Sequence, residues 1–174
     1  MLKQLRQRAG LKARVAALHL AVVERSRAPV FFEGLGVADT IDGRFDLLSM
    51  HAFLLLRQLQ ANGETKLAQG LTDALFVGID EALRDLGAGD IGIGKRVRKF
   101  ADAFYGRMNA YGAAQSAEQL AGALERNLFR SEAPARPEAQ QLAEYMLTAQ
   151  SRLAASDFHT GPIDFGPLPA CKGS

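Results

Sequence analysis

The sequence lacks most of the residues on which cross-linked and membrane-spanning proteins depend. It has one cysteine, Cys171, and no tryptophan among its 174 residues. A single cysteine excludes an intramolecular disulfide and is typical of a reducing compartment, so we expect a cytoplasmic protein. The longest strongly apolar run, Ala52 to Leu56, is much shorter than the ~20 residues that cross a bilayer. We therefore predict that the chain does not span a membrane.

Local sequence motifs for catalysis are also missing. His19, His51 and His159 lie in three separate segments, so no histidine stands near a group that it could activate. Cys171 lies in a tail rich in glycine and proline, where nothing nearby would activate its thiol. We predict that the protein is not an enzyme and needs no cofactor.

One group of carboxylates, Asp39, Asp42 and Asp46, invites interpretation as a metal site. A hard cation needs oxygen ligands that converge, and the sequence gives no sign that these three converge. Capping of the next helix and pairing with Arg44 are the ordinary uses of carboxylates in such a turn-rich segment. No Glu-x-x-His pair is present to mark a di-iron bundle, so we predict no metal site.

What the sequence does contain is helical periodicity along almost its whole length. Apolar residues recur every three or four positions, and the composition, 48% hydrophobic and 23% charged, is that of an ordinary soluble domain. We predict an all-α fold, with a single helical domain of about six or seven helices over residues 1–156. An extended Gly/Pro-rich tail should follow over residues 157–174. Phe158, Ile163 and Phe165 are candidates for holding that tail against the helices.

Caps and helix breakers indicate several boundaries. The first helix should end before Pro29, and a short helix that starts there should end at Gly34. Ser116 and Gln119 form a capping box for a later helix, and Pro137 suits the first position of the last one.

The segment Gly87 to Arg107 is the most unusual in the chain. A glycine-rich turn is followed by a burst of basic residues and then by an amphipathic helix. On a helical projection Phe100, Phe104 and Tyr111 share one face, which we expect to be buried, whereas the lysines lie opposite. We predict that the basic side of this helix binds a partner, through Lys95, Arg96, Arg98, Lys99, Tyr105 and Arg107.

The same segment partly matches a phosphate-binding loop. Gly89, Gly94 and Lys95 have the spacing of that motif, but Arg96 follows where a hydroxyl residue must hold magnesium. The preceding residues are also helical in pattern, whereas a phosphate loop follows a strand. We therefore reject nucleotide binding and interpret the segment as a helix stop at Gly87, a turn and a new helix.

The helix expected from about Phe45 to Gln60 is apolar nearly all round, so two of its faces need burial. The simpler interpretation is a central helix surrounded by its neighbours. In the alternative, Leu47, Met50 and Leu54 form part of an apolar groove that receives a helix of a client protein.

The amino-terminal segment is strongly basic. Five cations occur before the first acidic residue of the sequence, Glu24. Although the segment is rich in arginine and poor in acids like a mitochondrial presequence, no serine precedes Ser26, so we expect a retained helix. We expect that helix to make salt-sensitive contact with an anionic membrane or a ribosome. The cations are Lys3, Arg6, Arg8, Lys12 and Arg14.

Several separated motifs occur together in this chain and carry a family resemblance. They are FFEGLGVADTIDGRFDLLSMHAFLLLRQL (Phe31 to Leu59), GDIGIGKRVRKFADAFYGR (Gly89 to Arg107), AYGAA (Ala110 to Ala114) and LERNLF (Leu124 to Phe129). Through them the sequence resembles, from roughly Leu11 to Leu153, the ubiquinol-cytochrome c chaperone family. Those proteins of bacteria and mitochondria are linked to assembly of respiratory complex III. Because mitochondrial members carry longer leaders, the short start favours a bacterial member.

The resemblance implies a non-enzymatic assembly chaperone. Family members in mitochondria bind newly made cytochrome b, together with a partner protein and near the ribosomal exit. We therefore expect cytochrome b or another membrane-protein client, a second assembly protein, contact with a ribosome or an anionic membrane surface, and no DNA. The expected location is the cytoplasm, including the periphery of the inner membrane. The alternative is a small basic helical module that binds RNA, a ribosome or an anionic ligand, although only Tyr105 stands near the basic side for stacking.

Overall fold

Six α-helices and one short π-helical turn make up the fold. The computed structural model describes residues 1–85, 90–131 and 133–170, and it places no strand in those ranges. The prediction of an all-α single domain is therefore confirmed. The helices are α1 (Leu2–Ser26), α2 (Ile41–Ala61), α3 (Thr65–Asp85), α4 (Asp90–Ala113), α5 (Ala117–Asn127) and α6 (Pro137–Ala154), and the π turn spans Val30–Gly34.

Capping residues and prolines mark the helix ends in the structure, as the sequence predicts. Ser116 Oγ accepts a hydrogen bond from the backbone N–H of Gln119 at 3.2 Å, which caps α5. Pro137 is the first residue of α6, where its missing N–H costs nothing. The predicted boundaries at Pro29, Gly34, Ser116 and Pro137 are confirmed.

The glycine-rich start of α4 differs from the prediction. Gly92 and Gly94 lie inside the helix, which begins at Asp90, and not in a turn. A glycine within a helix costs about 1 kcal/mol relative to alanine. The tertiary packing of the apolar side of α4 outweighs that cost, as is usual for helices in proteins. The predicted helix stop at Gly87, the loop glycine Gly89 and the tail residue Cys171 lie outside the described residues.

Helix α2 is the centre of the fold. It packs against α1, α3, α4 and α6, and its apolar residues from Phe45 to Leu59 are buried on every side except for Leu48, which is partly exposed. The interpretation as a central helix is confirmed. Within the described ranges, every helix is too short or too polar to traverse a bilayer.

The starts of α1 and α4 lie at opposite ends of the bundle. The Val15 side chain lies against Gly70 and that of His19 against Gly78, so α1 and α3 run in the same direction. Helices α3 and α4 are neighbours joined by residues 86–89 and therefore run in opposite directions. Since α1 has 25 residues, at about 1.5 Å per residue the two starts are roughly 40 Å apart.

The tail is packed against the helices up to residue 170. Phe158 and Phe165 are buried, and Ile163 is partly buried against the same core. The prediction that these three residues hold the tail is confirmed.

Candidate functional site

A buried charged centre joins the two longest motifs. Asp46, in the first turn and a half of α2, is fully buried, and Arg107 of α4 is 8% exposed. The guanidinium of Arg107 forms an ion pair with the Asp46 carboxylate and donates a further hydrogen bond to the carbonyl oxygen of Ala103 at 2.9 Å. It also lies 5.1 Å from the centroid of the Phe45 ring. These contacts fix α4 on α2.

Arg130 completes this centre from the connection between α5 and α6. Its Nη2 donates to Asp46 Oδ2 at 2.8 Å, although half of its side chain is exposed. Its backbone is in the left-handed region, with φ of 55°. Such a conformation is uncommon for residues other than glycine. One carboxylate thus connects α2, α4 and the segment after α5.

The electrostatics of the centre follow from its burial. Burial raises the pKa of Asp46 to about 6, and the opposing attraction of Arg107 and Arg130 does not cancel that rise. Burial also raises the pKa of the neighbouring Tyr111. The Tyr111 hydroxyl and Arg107 Nε have no hydrogen-bond partner among the described residues. The centre therefore holds α2, α4 and the segment after α5 together.

A second buried carboxylate joins α5 to α6. Glu125, 1% exposed, accepts from the backbone N–H of Arg136 at 3.0 Å and from its guanidinium at 3.0 Å. The guanidinium also lies 4.5 Å from the centroid of the Phe129 ring. Glu125 of the LERNLF motif therefore holds the start of α6 against α5.

The accessible candidate site is the amino-terminal half of α4. Four basic residues within five positions are exposed there, with Val97 between the two pairs. We call Lys95, Arg96, Arg98 and Lys99 the basic face. None of the four forms an ion pair within the ranges that the structure describes. Tyr105, 53% exposed, lies further along the same helix, with its ring 6.2 Å from that of Phe76.

Four of the nine predicted partner-binding residues have surroundings that the sequence did not indicate. Arg107 belongs to the charged centre and not to the basic face. Leu47, Met50 and Leu54 are fully buried, so the expectation that they line an accessible groove is wrong. A partner reaches these three only if α2 separates from its neighbours, because α2 is covered by four other helices.

The carboxylates considered for a metal site have separate partners. Asp39 accepts from Arg44 Nε at 2.6 Å, as predicted, and this hydrogen bond lowers the pKa of Asp39. Asp46 belongs to the charged centre, and Asp42 lies 3.8 Å from Arg130. No group of three or more His, Cys, Asp or Glu side chains converges in the described part of the chain.

The histidines also have separate surroundings. His51 is fully buried and donates through Nδ1 to the carbonyl oxygen of Leu47 at 2.8 Å, because a carbonyl only accepts. Its Nε2 then accepts from the Tyr145 hydroxyl at 2.9 Å. Burial lowers the pKa of His51 to about 3. His159 meets Glu64 at the surface, at 2.8 Å.

One depression on the surface lies beside the π turn. Its volume is about 410 Å³, and the ion pair of Arg44 with Asp39 forms part of its wall. Its charges are mixed, so it does not select an ion of one sign. The lining residues are Arg27, Pro29, Phe32, Glu33, Val37, Asp39 and Arg44.

Arg14, predicted to belong to a basic surface, instead holds the tail. Its Nη2 donates to the carbonyl oxygen of Gly161 at 2.8 Å, and its Nε donates to that of Phe158. The basic surface of α1 therefore consists of the exposed residues Lys3, Arg6, Arg8 and Lys12. No sequence signal marks Arg14, because its partners lie more than 140 residues away.

The fold and these surfaces define an all-α protein whose conspicuous polar surface is basic and whose buried charges hold helices together. The family model of the ubiquinol-cytochrome C chaperone matches residues 33–160. The chain therefore belongs to the ubiquinol-cytochrome C chaperone family. It is also similar to the crystal structure of the Cbp3 homolog from Brucella abortus, at 35% identity and a TM-score of 0.78, over 95% of this chain and 98% of that one. A comparison with curated proteins gave no match.

Proposed function

We propose that this member of the family is a non-enzymatic assembly chaperone that binds the membrane protein cytochrome b during assembly of ubiquinol-cytochrome c reductase. The family supports the chaperone activity. The contact surface is placed at the basic face of α4, because its four exposed cations have no carboxylate partner in the described ranges.

The basic face is the surface on which we place the partner. Unpaired exposed cations attract an acidic or otherwise anionic surface and discriminate against a basic one. Tyr105 adds an amphipathic ring of the kind enriched at protein interfaces. The buried ion pair of Arg107 with Asp46 supports this face indirectly, because it fixes α4 on α2. A second assembly protein is a further partner in this proposal.

Cross-linking in cells tests the client. A tagged chain is treated with a lysine-reactive cross-linker, and its adducts are identified by mass spectrometry. We expect adducts with cytochrome b that disappear in Arg96→Glu with Arg98→Glu, a variant that keeps the reactive lysines. The matched control is Arg57→Glu with Arg126→Glu, which changes the net charge equally at two exposed positions on α2 and α5. Adducts that survive the first variant, or are lost equally from the control, contradict the proposal.

The alternative partner of the basic face is RNA or a ribosome. Four cations engaged with a single strand predict that log K falls against log salt with a slope of about −3. A salt-titrated filter assay with ribosomal RNA measures that slope, and the same two variants serve as test and control. A slope near zero excludes RNA.

We place the protein in the cytoplasm, with peripheral contact to the inner membrane through α1. Lys3, Arg6, Arg8 and Lys12 are exposed there, and each cation near an anionic lipid surface contributes about 1 kcal/mol. Deletion of residues 1–10 should reduce sedimentation with a membrane fraction. Unchanged sedimentation contradicts this placement.

A further inference from the structure

The tail after α6 lies in a site that contacts its backbone. Arg14 donates to three backbone carbonyl oxygens of the tail, and Arg25 Nη2 donates to the carbonyl oxygen of Gly166 at 2.6 Å. Every peptide has such carbonyls, so these contacts do not depend on the side chains of the tail. The carbonyls bound by Arg14 are those of Asp157, at 3.2 Å, Phe158, and Gly161, at 2.8 Å.

One aromatic side chain of the tail fills a prepared pocket. Phe165 is 4% exposed, and its ring meets that of His51 edge to face at 5.6 Å. The Tyr145 hydroxyl donates to His51 Nε2 and accepts from Arg25 Nε, both at 2.9 Å. This hydrogen-bonded chain fixes one side chain each from α1, α2 and α6. The pocket walls are therefore held in place by the helices.

Among the described tail residues, the other apolar side chains that attach the tail are Phe158, which is buried, and Ile163, which is partly buried. Between Phe158 and Phe165 the side chains are exposed or partly exposed. The additional ionic contacts, His159 with Glu64 and Arg152 with Asp164, involve mostly exposed groups. A segment with so few buried apolar groups opens more readily than the helical core.

We propose that Arg14, Arg25 and the pocket of Phe165 form a peptide-binding site, which the chain's own tail fills. The same site accepts an extended segment of another chain in which an aromatic residue is followed by glycine. The proposal rests on the proposed function, because the client is the chain that supplies the segment. The pocket of Phe165 would then be the apolar binding surface for a client. Helix α2 does not offer such a surface, because Leu47, Met50 and Leu54 are buried.

Emptying the pocket in the full chain tests the site directly. The variant is Phe158→Ala with Phe165→Ala, and the probe is a fluorescent peptide with the sequence of residues 157–170. We expect micromolar binding to this variant and at least tenfold weaker binding to the wild-type chain, whose own tail competes. A peptide with alanine at the position of Phe165 is the control and should not bind. Equal binding of the two peptides, or no binding to a variant that melts cooperatively, overturns the proposal.

A second variant covers the case in which the double alanine variant does not fold. Phe165→Ala alone removes an anchor of the tail and leaves Arg14 and the pocket unchanged, and Leu168→Ala at an exposed tail position is the matched control. Hydrogen exchange of residues 157–170 should accelerate in Phe165→Ala alone, and the peptide should bind this variant at least threefold more tightly than the control. Faster exchange without stronger binding overturns the proposal.

Cross-linking to the client separates this proposal from the proposed function. Adducts of cytochrome b with both the basic face and the tail site support both. Adducts confined to the basic face leave the proposed function standing and overturn the client at the tail site. Peptide binding without any cytochrome b adduct contradicts the proposed function and supports only the site. A wild-type dimer that Phe165→Ala dissociates assigns the site to a second copy of the chain and overturns the client.

Discussion

Arg96 and Arg107 lie on the same side of α4 and have opposite environments. They are eleven residues apart, so a helix returns them to nearly the same direction. Arg96 is exposed, whereas Arg107 is buried against Asp46 and Phe45. The difference arises from position along the helix axis: α2 presents a carboxylate beside one turn of α4 and not beside the other. Angular position alone therefore does not decide whether a cation binds a partner or stabilises the fold.

Removing each arginine should give the largest contrast. Arg107→Ala leaves Asp46 buried without its main partner, which typically costs about 3–5 kcal/mol. Arg96→Ala should change the free energy of unfolding by less than about 0.5 kcal/mol. Urea unfolding of both variants measures the two values. Similar losses in the two variants would show that the centre contributes no more than the surface.

A similar contrast is expected for two adjacent aromatic residues. Phe104 is buried and Tyr105 is half exposed. Phe104→Ala should lower the free energy of unfolding by about 3–5 kcal/mol, because it leaves a cavity in the core. Tyr105→Ala should cost about 1 kcal/mol, since it loses only ring contacts at the surface. Thermal unfolding followed by circular dichroism compares them, and a greater loss for Tyr105→Ala would contradict the burial of Phe104.

The charged centre should also respond to pH. The pKa of Asp46 is about 6 in the folded chain and about 3.8 when unperturbed, so between these values the folded chain holds a proton that the unfolded chain has released. The contribution of Asp46 to stability therefore falls as pH rises from about 4 to about 6 and is constant above.

The control for this effect is Asp46→Asn, which cannot titrate. Because the pKa of His51 is lowered to about 3, His51 makes the free energy of unfolding rise with pH in both proteins. This contribution cancels when the two free energies are subtracted. The free energy of unfolding of the wild type minus that of the variant should decrease from pH 4 to pH 6. Urea titrations at four pH values measure it, and a difference that rises with pH would mean that the two arginines dominate over burial.

The smallest effect on stability is expected at the basic face. Lys95→Glu with Lys99→Glu should change the free energy of unfolding by less than about 0.5 kcal/mol, because both side chains are exposed. Partner binding should nevertheless be lost, since two attractive charges become repulsive. Should the variant melt like the wild type and still support cytochrome b maturation, the basic face is only solvated surface.

Local interactions were predictable from the sequence, and distant ones were not. The cap at Ser116, the pair of Arg44 with Asp39 and the burial of Phe104 all follow from neighbours within a few residues or from helical period. Periodicity shows which side of a helix is apolar, but it does not show which helix that side meets. The partners in the charged centre are therefore invisible in the sequence, since Arg130 lies 84 residues from Asp46.

The same limit explains the error at α2 and the unexpected role of Arg14. An all-apolar helix is compatible with a groove or with complete enclosure, and only the number of neighbouring helices decides. Leu47 is enclosed because four helices pack around α2. Arg14 matches the other cations of the amino-terminal segment by composition, but Gly161, which it binds, is 147 residues away.

The placement of the starts of α1 and α4 at opposite ends has a consequence for affinity. The two proposed contacts, separated by a helical spacer roughly 40 Å long, act together only on partners presented at that spacing. When both are engaged, the second contact becomes intramolecular, and the combined affinity exceeds either one by a factor of roughly 10² to 10⁴. When only one partner is present, binding stays as weak as a single contact. In the proposed function, a bundle with basic surfaces at both ends therefore responds to the coincidence of two anionic surfaces more than to either surface alone.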